Sequence, residues 1–101
     1  MLSNNCINTS MKTFENLYQV YNLLINITGL ENISAVVTEI LRLMCTQEII
    51  TSMLNNENKT VSTILDLLND DDILNFIEDC CDEEEINFFI ASLESESNFN
   101  Y

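Results

Sequence analysis

Acidic side chains in the C-terminal third are the residues of this chain whose number and spacing could do chemistry. From Asp66 to the C-terminus there are twelve acids and no base, whereas the first 65 residues have five acids against Lys12, Arg42 and Lys59. The net charge of −14 therefore divides into −2 for the first part and −12 for the second. Carboxylates can transfer protons, hold a metal ion or bind a positively charged surface, and each chemistry leaves its own sequence pattern.

Catalysis is the least supported of the three chemistries. The chain has no His, so it lacks both the commonest general base and the group that usually activates a Ser or Cys nucleophile. Its single Gly also excludes the Gly-rich loops that hold phosphate groups. Paired carboxylates are too frequent in this chain to mark an active site. The sequence therefore predicts a protein that is not an enzyme and uses no cofactor.

The cysteines and acids also lack the spacing of a metal site. None of the four cysteines forms a C-x2-C pair. They are Cys6, Cys45, Cys80 and Cys81. The acidic runs 70–72 and 82–85 lack the alternating acids and the central Gly of a calcium loop. We therefore predict no metal site, and we expect Cys45 and one of the adjacent pair to be small hydrophobic residues of the core.

Binding to a positively charged surface is the chemistry that remains. Nine acids fall between Asp70 and Glu85. Along one continuous helix that span would measure about 24 Å, or one charge per roughly 2.7 Å, against one per roughly 1.7 Å in duplex DNA. The helix dipole favours acids in a first turn, but it does not explain why no Lys or Arg is interleaved among them. We therefore expect these acids to serve a partner.

Composition predicts the elements that must position the acids. The 101 residues are 47% hydrophobic with one Gly and no Pro, which favours a single all-α domain over a turn-rich β fold. No segment has the roughly 18 consecutive apolar residues of a membrane span, and residues 1–10 do not resemble a signal peptide. We expect an intracellular protein, in the host cytoplasm or nucleus if it is viral.

Apolar residues recur at helical spacing from Thr13 to Leu93, which predicts a compact bundle of five or six short helices. Residues 1–12 are expected to form a flexible arm, and residues 94–101 a disordered acidic tail. Gly29 follows the first apolar stripe as a candidate C-terminal cap. The candidate N-terminal caps of the later helices are Asn32, Thr46, Thr60, Asn69 or Asp70, and Asp82 in an Asp82-x-x-Glu85 capping box.

A weak internal repeat occurs at an offset of 41 residues. The matching pairs are Val20 with Val61, Leu23 with Ile64, Leu24 with Leu65, Ile27 with Leu68, Ile33 with Leu74, Val36 with Ile77 and Ile49 with Ile90. The period and the helical content resemble those of armadillo and HEAT repeats, which implies two stacked helical units as the alternative to a single bundle. Two units are fewer than such a solenoid usually needs.

Residue usage indicates the kind of genome that encodes the chain. Fifteen Asn and twelve Ile, against three residues of Ala, Gly and Pro together, indicate an AT-rich source such as a virus, phage or parasite. The same bias should enrich Lys, yet only two Lys occur. The acidity is therefore interpreted as a selected property.

These observations favour a small acidic binding or inhibitor protein. Its C-terminal third would cover a basic surface of a partner, in the manner of a DNA-mimic protein that blocks a nucleic-acid-binding defence or host factor, with no direct binding to nucleic acid. The residues expected to contact the partner are Asp71, Asp72, Glu78, Asp79, Glu83 and Glu84.

The alternative is a structural subunit or helical-repeat scaffold of a larger assembly, bound through an apolar face such as Tyr18, Tyr21 and Phe88. A third hypothesis, a mimic of the small helical bundles that regulate cell death, is based only on size and helicity.

Overall fold

Six α-helices, joined by short connections, follow one another in the described part of the chain. The structure is a computed structural model that describes residues 4–99, together with the side chains of residues 15–97, and it has no strand in that part of the chain. The helices are α1 (Asn4–Thr28), α2 (Glu31–Met44), α3 (Gln47–Leu54), α4 (Glu57–Leu68), α5 (Asp71–Cys80) and α6 (Glu83–Phe99). The all-α fold predicted from the apolar spacing is confirmed.

Local sequence signals begin and end several of these helices. α1 stops before Gly29, whose φ of 74° is a left-handed conformation that Gly adopts without steric cost. The Thr46 side chain accepts a hydrogen bond from a first-turn amide of α3. The Asp70 side chain accepts from two first-turn amides of α5. These three predicted caps are confirmed.

Two other predicted caps were wrong. Asn32 lies inside the first turn of α2, and its side chain donates to the junction between α5 and α6 instead of capping its own helix. α4 is capped by Asn56, because an Asn side chain can accept the free first-turn amides as well as a Thr can. Thr60 therefore lies one turn inside α4, where its buried hydroxyl donates to the carbonyl of Met53 at 2.6 Å and links α4 to α3.

The first and last helices extend beyond the predicted limits of the helical domain. α1 begins at Asn4 rather than Thr13, and α6 ends at Phe99 rather than Leu93. Adding residues to an existing helix is easy where no Pro or Gly interrupts it, and neither occurs in 1–12 or 94–101. The described helices therefore run from residue 4 to residue 99, while the limits 13–93 of the domain stay a prediction. The flexibility of the arm and tail stays a prediction, and residues 1–3 and 100–101 lie outside the described part.

The six helices close into one bundle around a shared apolar core. α1 packs against α2, α3 and α6, while α4 packs against α3, α5 and α6, and α2 packs against α5 and α6. The largest fully buried side chains come from every helix: Leu24, Ile33, Leu41, Ile50, Met53, Ile64, Ile77, Phe89 and Leu93. Because α1 touches α6 and α2 touches α5, the two halves of the chain cover each other's apolar faces, and the result is a compact domain.

The two halves repeat in burial, but at an offset of 40 residues rather than the predicted 41. Of the seven pairs predicted at 41, only Val20 and Val61 are both buried. Five of the others match a buried residue with a half-buried one, and in the last pair Ile49 is exposed and Ile90 is half-buried. At 40 both members are buried in seven pairs: Val20 with Thr60, Leu24 with Ile64, Thr28 with Leu68, Ile33 with Ile73, Val37 with Ile77, Leu41 with Cys81 and Met53 with Leu93. The chain thus presents equivalent inward faces on α1–α2 and on α4–α5.

Candidate protein-binding surface

The acids of α5 lie on the side of that helix that faces away from the core. An α-helix turns by about 100° per residue, so residues seven positions apart point in nearly the same direction. Asp71 and Glu78 form one such pair, Asp72 and Asp79 form the other, and all four are exposed. The buried residues of the helix, Ile73 and Ile77, point the opposite way. The core therefore fixes the orientation of α5 and presents its four acids to solvent.

The first acids of α6 are also exposed to solvent because the buried residues of that helix fix its orientation. Glu83 and Glu84 occupy its first turn and are exposed, while Ile86 and Phe89 are buried. Acids in a first turn interact favourably with the positive end of the helix dipole, so their position also stabilises the start of α6. All six of the predicted contact residues are therefore exposed, on two helices that contact each other.

The nine acids between Asp70 and Glu85 do not follow one continuous helix, because α5 ends at Cys80 and α6 starts at Glu83. The linear spacing of one charge per roughly 2.7 Å therefore does not describe this surface. Eight of the nine acids are nevertheless exposed, and only Glu85 is half-buried. The negative charge is distributed over two neighbouring helix faces rather than along a rod.

Among the side chains that the structure describes, no Lys or Arg forms an ion pair with these acids. Lys59 and Arg42 are the bases in that part of the chain, and the ion pair formed there joins Arg42 to Glu39 on α2, with Nε donating to the carboxylate at 2.8 Å. That hydrogen bond lowers the pKa of Glu39 and raises the pKa of Arg42. The ion pair of Arg42 therefore lies on α2 and not on the acidic surface of α5 and α6.

A polar contact with α2 holds the junction between α5 and α6. The Asn32 side-chain amide donates to the carbonyl of Cys80 at 3.4 Å and to the carboxylate of Glu85 at 3.3 Å, and its nitrogen lies 3.6 Å from the sulfur of Cys81. Burial and then the nearby negative charge of Glu85 raise the pKa of the Cys81 thiol to about 11. Glu85 is therefore part of the scaffold, and Asn32 is a positioning residue that the sequence pattern assigned to a different role.

The cysteines divide as expected between core and surface. Cys81 is buried and Cys45 is half-buried, while Cys80 is exposed. The position of Cys6 lies outside the side chains that the structure describes. In the described part of the chain, no three side chains of His, Cys, Asp or Glu are grouped in positions that could hold a metal ion.

An apolar groove that sequence reasoning missed lies beside the acids, between α2 and α5. Its volume is about 350 Å³, and its lining residues are Ile40, Leu43, Met44, Asp70, Asp72, Ile73 and Phe76. Leu43 is 67% exposed, Met44 56% and Phe76 52%. The helical spacing gave no signal for it, because that spacing predicts Met44 and Phe76 on the inward stripes of their helices, whereas the structure exposes both.

The predicted apolar face of Tyr18, Tyr21 and Phe88 is only partly brought together. The rings of Tyr18 and Tyr21 lie 6.2 Å apart, and both line a groove of about 260 Å³ between α1 and α2. Phe88 is exposed on α6 but does not line that groove. Tyr18 and Tyr21 therefore share one groove, and Phe88 lies outside it.

Comparisons with known proteins give no relative from which a role could be carried over. No protein-family model, curated protein or solved structure matches this chain. None of the helices in residues 4–99 combines the length and the apolarity that crossing a bilayer requires.

Proposed function

We propose that this protein is a non-enzymatic binding protein whose acidic surface on α5 and α6 covers a basic, nucleic-acid-binding type of surface on a partner protein. The observation that carries the proposal is that all six predicted contact acids are exposed and that no described base pairs with them. Like charges crowded on a surface raise its energy, and a basic partner removes that cost while complementary charge speeds its encounter. Specifically, the protein would inhibit a nucleic-acid-binding defence or host factor in the manner of a DNA mimic.

A second function is favoured by a different observation. Leu43, Met44 and Phe76 are large apolar residues that line one groove. Each of them is more than half exposed to solvent. Exposed apolar patches on a small protein often mark an interaction site. A structural subunit of a larger assembly would use such a surface for a contact that persists at high salt, with the acids providing solubility.

The experiment that separates these functions is a pull-down from host lysate at about 50 mM and about 500 mM NaCl, because added salt screens exposed charges. The wild type is compared with a variant in which Asp71, Asp72, Glu78, Asp79, Glu83 and Glu84 become the corresponding amides. We expect a nucleic-acid-binding protein to be captured by the wild type at low salt, and to be lost at high salt and with the six-amide variant. A partner retained by both proteins at both salt concentrations would instead support the apolar surface.

A matched pair of variants locates the charge that matters. One variant changes Asp71→Asn, Glu78→Gln and Glu83→Gln on the acidic surface. The other changes Glu15→Gln, Glu31→Gln and Glu48→Gln, which are exposed acids of the first half of the chain. Each variant takes the net charge from −14 to −11 by removing three negative charges. Capture that weakens equally in both would mean that net charge alone attracts the partner, and the proposed surface would be wrong.

A further inference from the structure

The apolar groove between α2 and α5 has an acidic rim. Its apolar lining comes from the last turns of α2 and from two turns of α5, and Asp70 and Asp72 border it. Both aspartates are exposed, although Asp70 also uses one carboxylate oxygen to cap α5. The groove therefore offers an apolar floor and negative charge at its margin.

The surroundings of the groove reinforce its negative character. α2 ends at Met44, so the negative end of that helix dipole lies at the groove. Arg42 is the single base of α2, but it is paired with Glu39, and both line the other groove, next to α1. A ligand that fits here must combine an apolar side chain with flanking positive charge.

We propose that this groove binds a basic amphipathic helix of the partner protein, which inserts aliphatic or aromatic side chains between Leu43 and Phe76 and places Lys or Arg beside Asp70 and Asp72. The proposal rests on the proposed function and names the element of the partner that the acidic surface recognises. Helix-in-groove recognition fits a cleft lined by two helices, and the described part of the chain has no sheet edge to which an extended segment could pair.

A second copy of this chain is a poor occupant of the same groove. Each copy has a net charge of −14. The exposed apolar residues that it could insert, such as Phe76, line the same groove as Asp70 and Asp72. Pairing two such surfaces would bring like charges together across the contact, which opposes association unless salt screens them. Charge complementarity therefore selects a basic partner.

The test uses fluorescence anisotropy with three labelled synthetic peptides of about 18 residues, a length at which an Ala-rich sequence can form a helix. The first has Leu at positions i, i+4 and i+7 with Lys on both flanks of that face. The second replaces each Lys by Glu, and the third keeps Lys but replaces each Leu by Ser. The proteins are the wild type, Phe76→Ser, Phe88→Ser and the six-amide variant.

Phe88→Ser is the matched control, because Phe88 is 56% exposed and Phe76 52%, but only Phe76 lines the groove. We expect the wild type and Phe88→Ser to bind the Leu–Lys peptide equally, and Phe76→Ser to bind it about tenfold more weakly, as for truncation of an interface anchor. Both other peptides should bind the wild type at least about tenfold more weakly. Circular dichroism melts of each variant check that the fold is retained.

Several results would overturn the proposal. They are no binding of the Leu–Lys peptide to the wild type, equal binding of the Lys and Glu peptides, and equal loss in Phe76→Ser and Phe88→Ser. If the Leu–Lys and Ser–Lys peptides bind equally and only the six-amide variant loses them, the groove is wrong while the acidic surface stands. If the six-amide variant binds both Lys peptides like the wild type while Phe76→Ser does not bind, the proposed function is wrong and a purely apolar groove remains.

Discussion

α2 and α5 are alike on their inner faces and different on their outer faces. Ile33 and Val37 of α2 correspond in burial to Ile73 and Ile77 of α5, and the two helices pack against each other. On the outside, α2 pairs Glu39 with Arg42 in the usual manner of an exposed helix, with a base in its last turn. α5 has four exposed acids and no base in its last turn.

This difference separates what the fold requires from what it leaves free. The inner faces must fill the same apolar core, so their residues are restricted in both helices. The outer faces contact only solvent, and a helix gains a little stability from opposite charges three or four residues apart. α5 forgoes that gain over its whole outer face. We take this as the physical reason for assigning function to the outer face of α5 and its neighbour α6 rather than to α2.

The largest expected effect tests the similarity of the two inner faces. Ile33 and Ile77 are both fully buried, so Ile33→Ala and Ile77→Ala should each lower the free energy of unfolding by about 2–5 kcal/mol. The measurement is urea denaturation followed by circular dichroism at 222 nm. The exposed Asn75→Ala on α5 is the control and should change the value by less than about 0.5 kcal/mol. A large loss for one Ile and none for the other would show that the halves do not share one core.

The next effect concerns how the two helices begin. α5 is capped by the side chain of Asp70, whereas α2 follows Leu30 and has no side-chain cap. Asp70→Ala should therefore destabilise the protein by about 1 kcal/mol, because two first-turn amides lose their acceptor. Thermal unfolding measures the loss, with the exposed neighbour Asn69→Ala as control. Equal effects of the two substitutions would contradict the assigned role of Asp70.

A smaller effect tests how the two helices end. Asp79 lies in the last turn of α5, where its charge is unfavourable to the helix dipole, while Arg42 lies in the last turn of α2, where its charge is favourable. Asp79→Asn should stabilise the protein by a few tenths of a kcal/mol, and Arg42→Gln should destabilise it. Thermal melts at low ionic strength would measure both changes, which should shrink at about 1 M salt. Destabilisation by Asp79→Asn would mean that Asp79 makes a contact within the fold.

The smallest effect is the pH dependence of the ion pair on α2. Hydrogen bonding to Arg42 lowers the pKa of Glu39 below its ordinary value of 4.5. The stability that this adds is present above pH 4.5, the value expected in the unfolded chain, and is lost as the pH falls through the lowered pKa. The difference in melting temperature between the wild type and Arg42→Gln should therefore shrink on acidification. A difference that stays constant from neutral pH to pH 2 would show that Arg42 acts through packing instead.

Much of the scaffold could be read from the chain because it depends on local rules. The 3.6-residue spacing of apolar residues specified all six helices in outline, and Gly29, Thr46 and Asp70 marked helix ends through their own backbone or side-chain chemistry. Other ends were misplaced because competing residues could satisfy the same amides, as Asn56 does in place of Thr60. α1 and α6 run longer than predicted because propagation needs only the absence of a breaker.

The features of the candidate site also divide into those that the sequence determined and those that the tertiary structure decided. The sequence alone determined the charge of the C-terminal third and, through the spacing of Ile73 and Ile77, the outward direction of the acids on α5. Only the tertiary structure decided that Asn32 holds the junction of α5 and α6, and that Leu43 and Phe76 meet in one acid-rimmed groove. The reason is that charge and periodicity belong to one segment of chain, whereas a groove between two helices exists only once their core faces have packed and set which margins become neighbours.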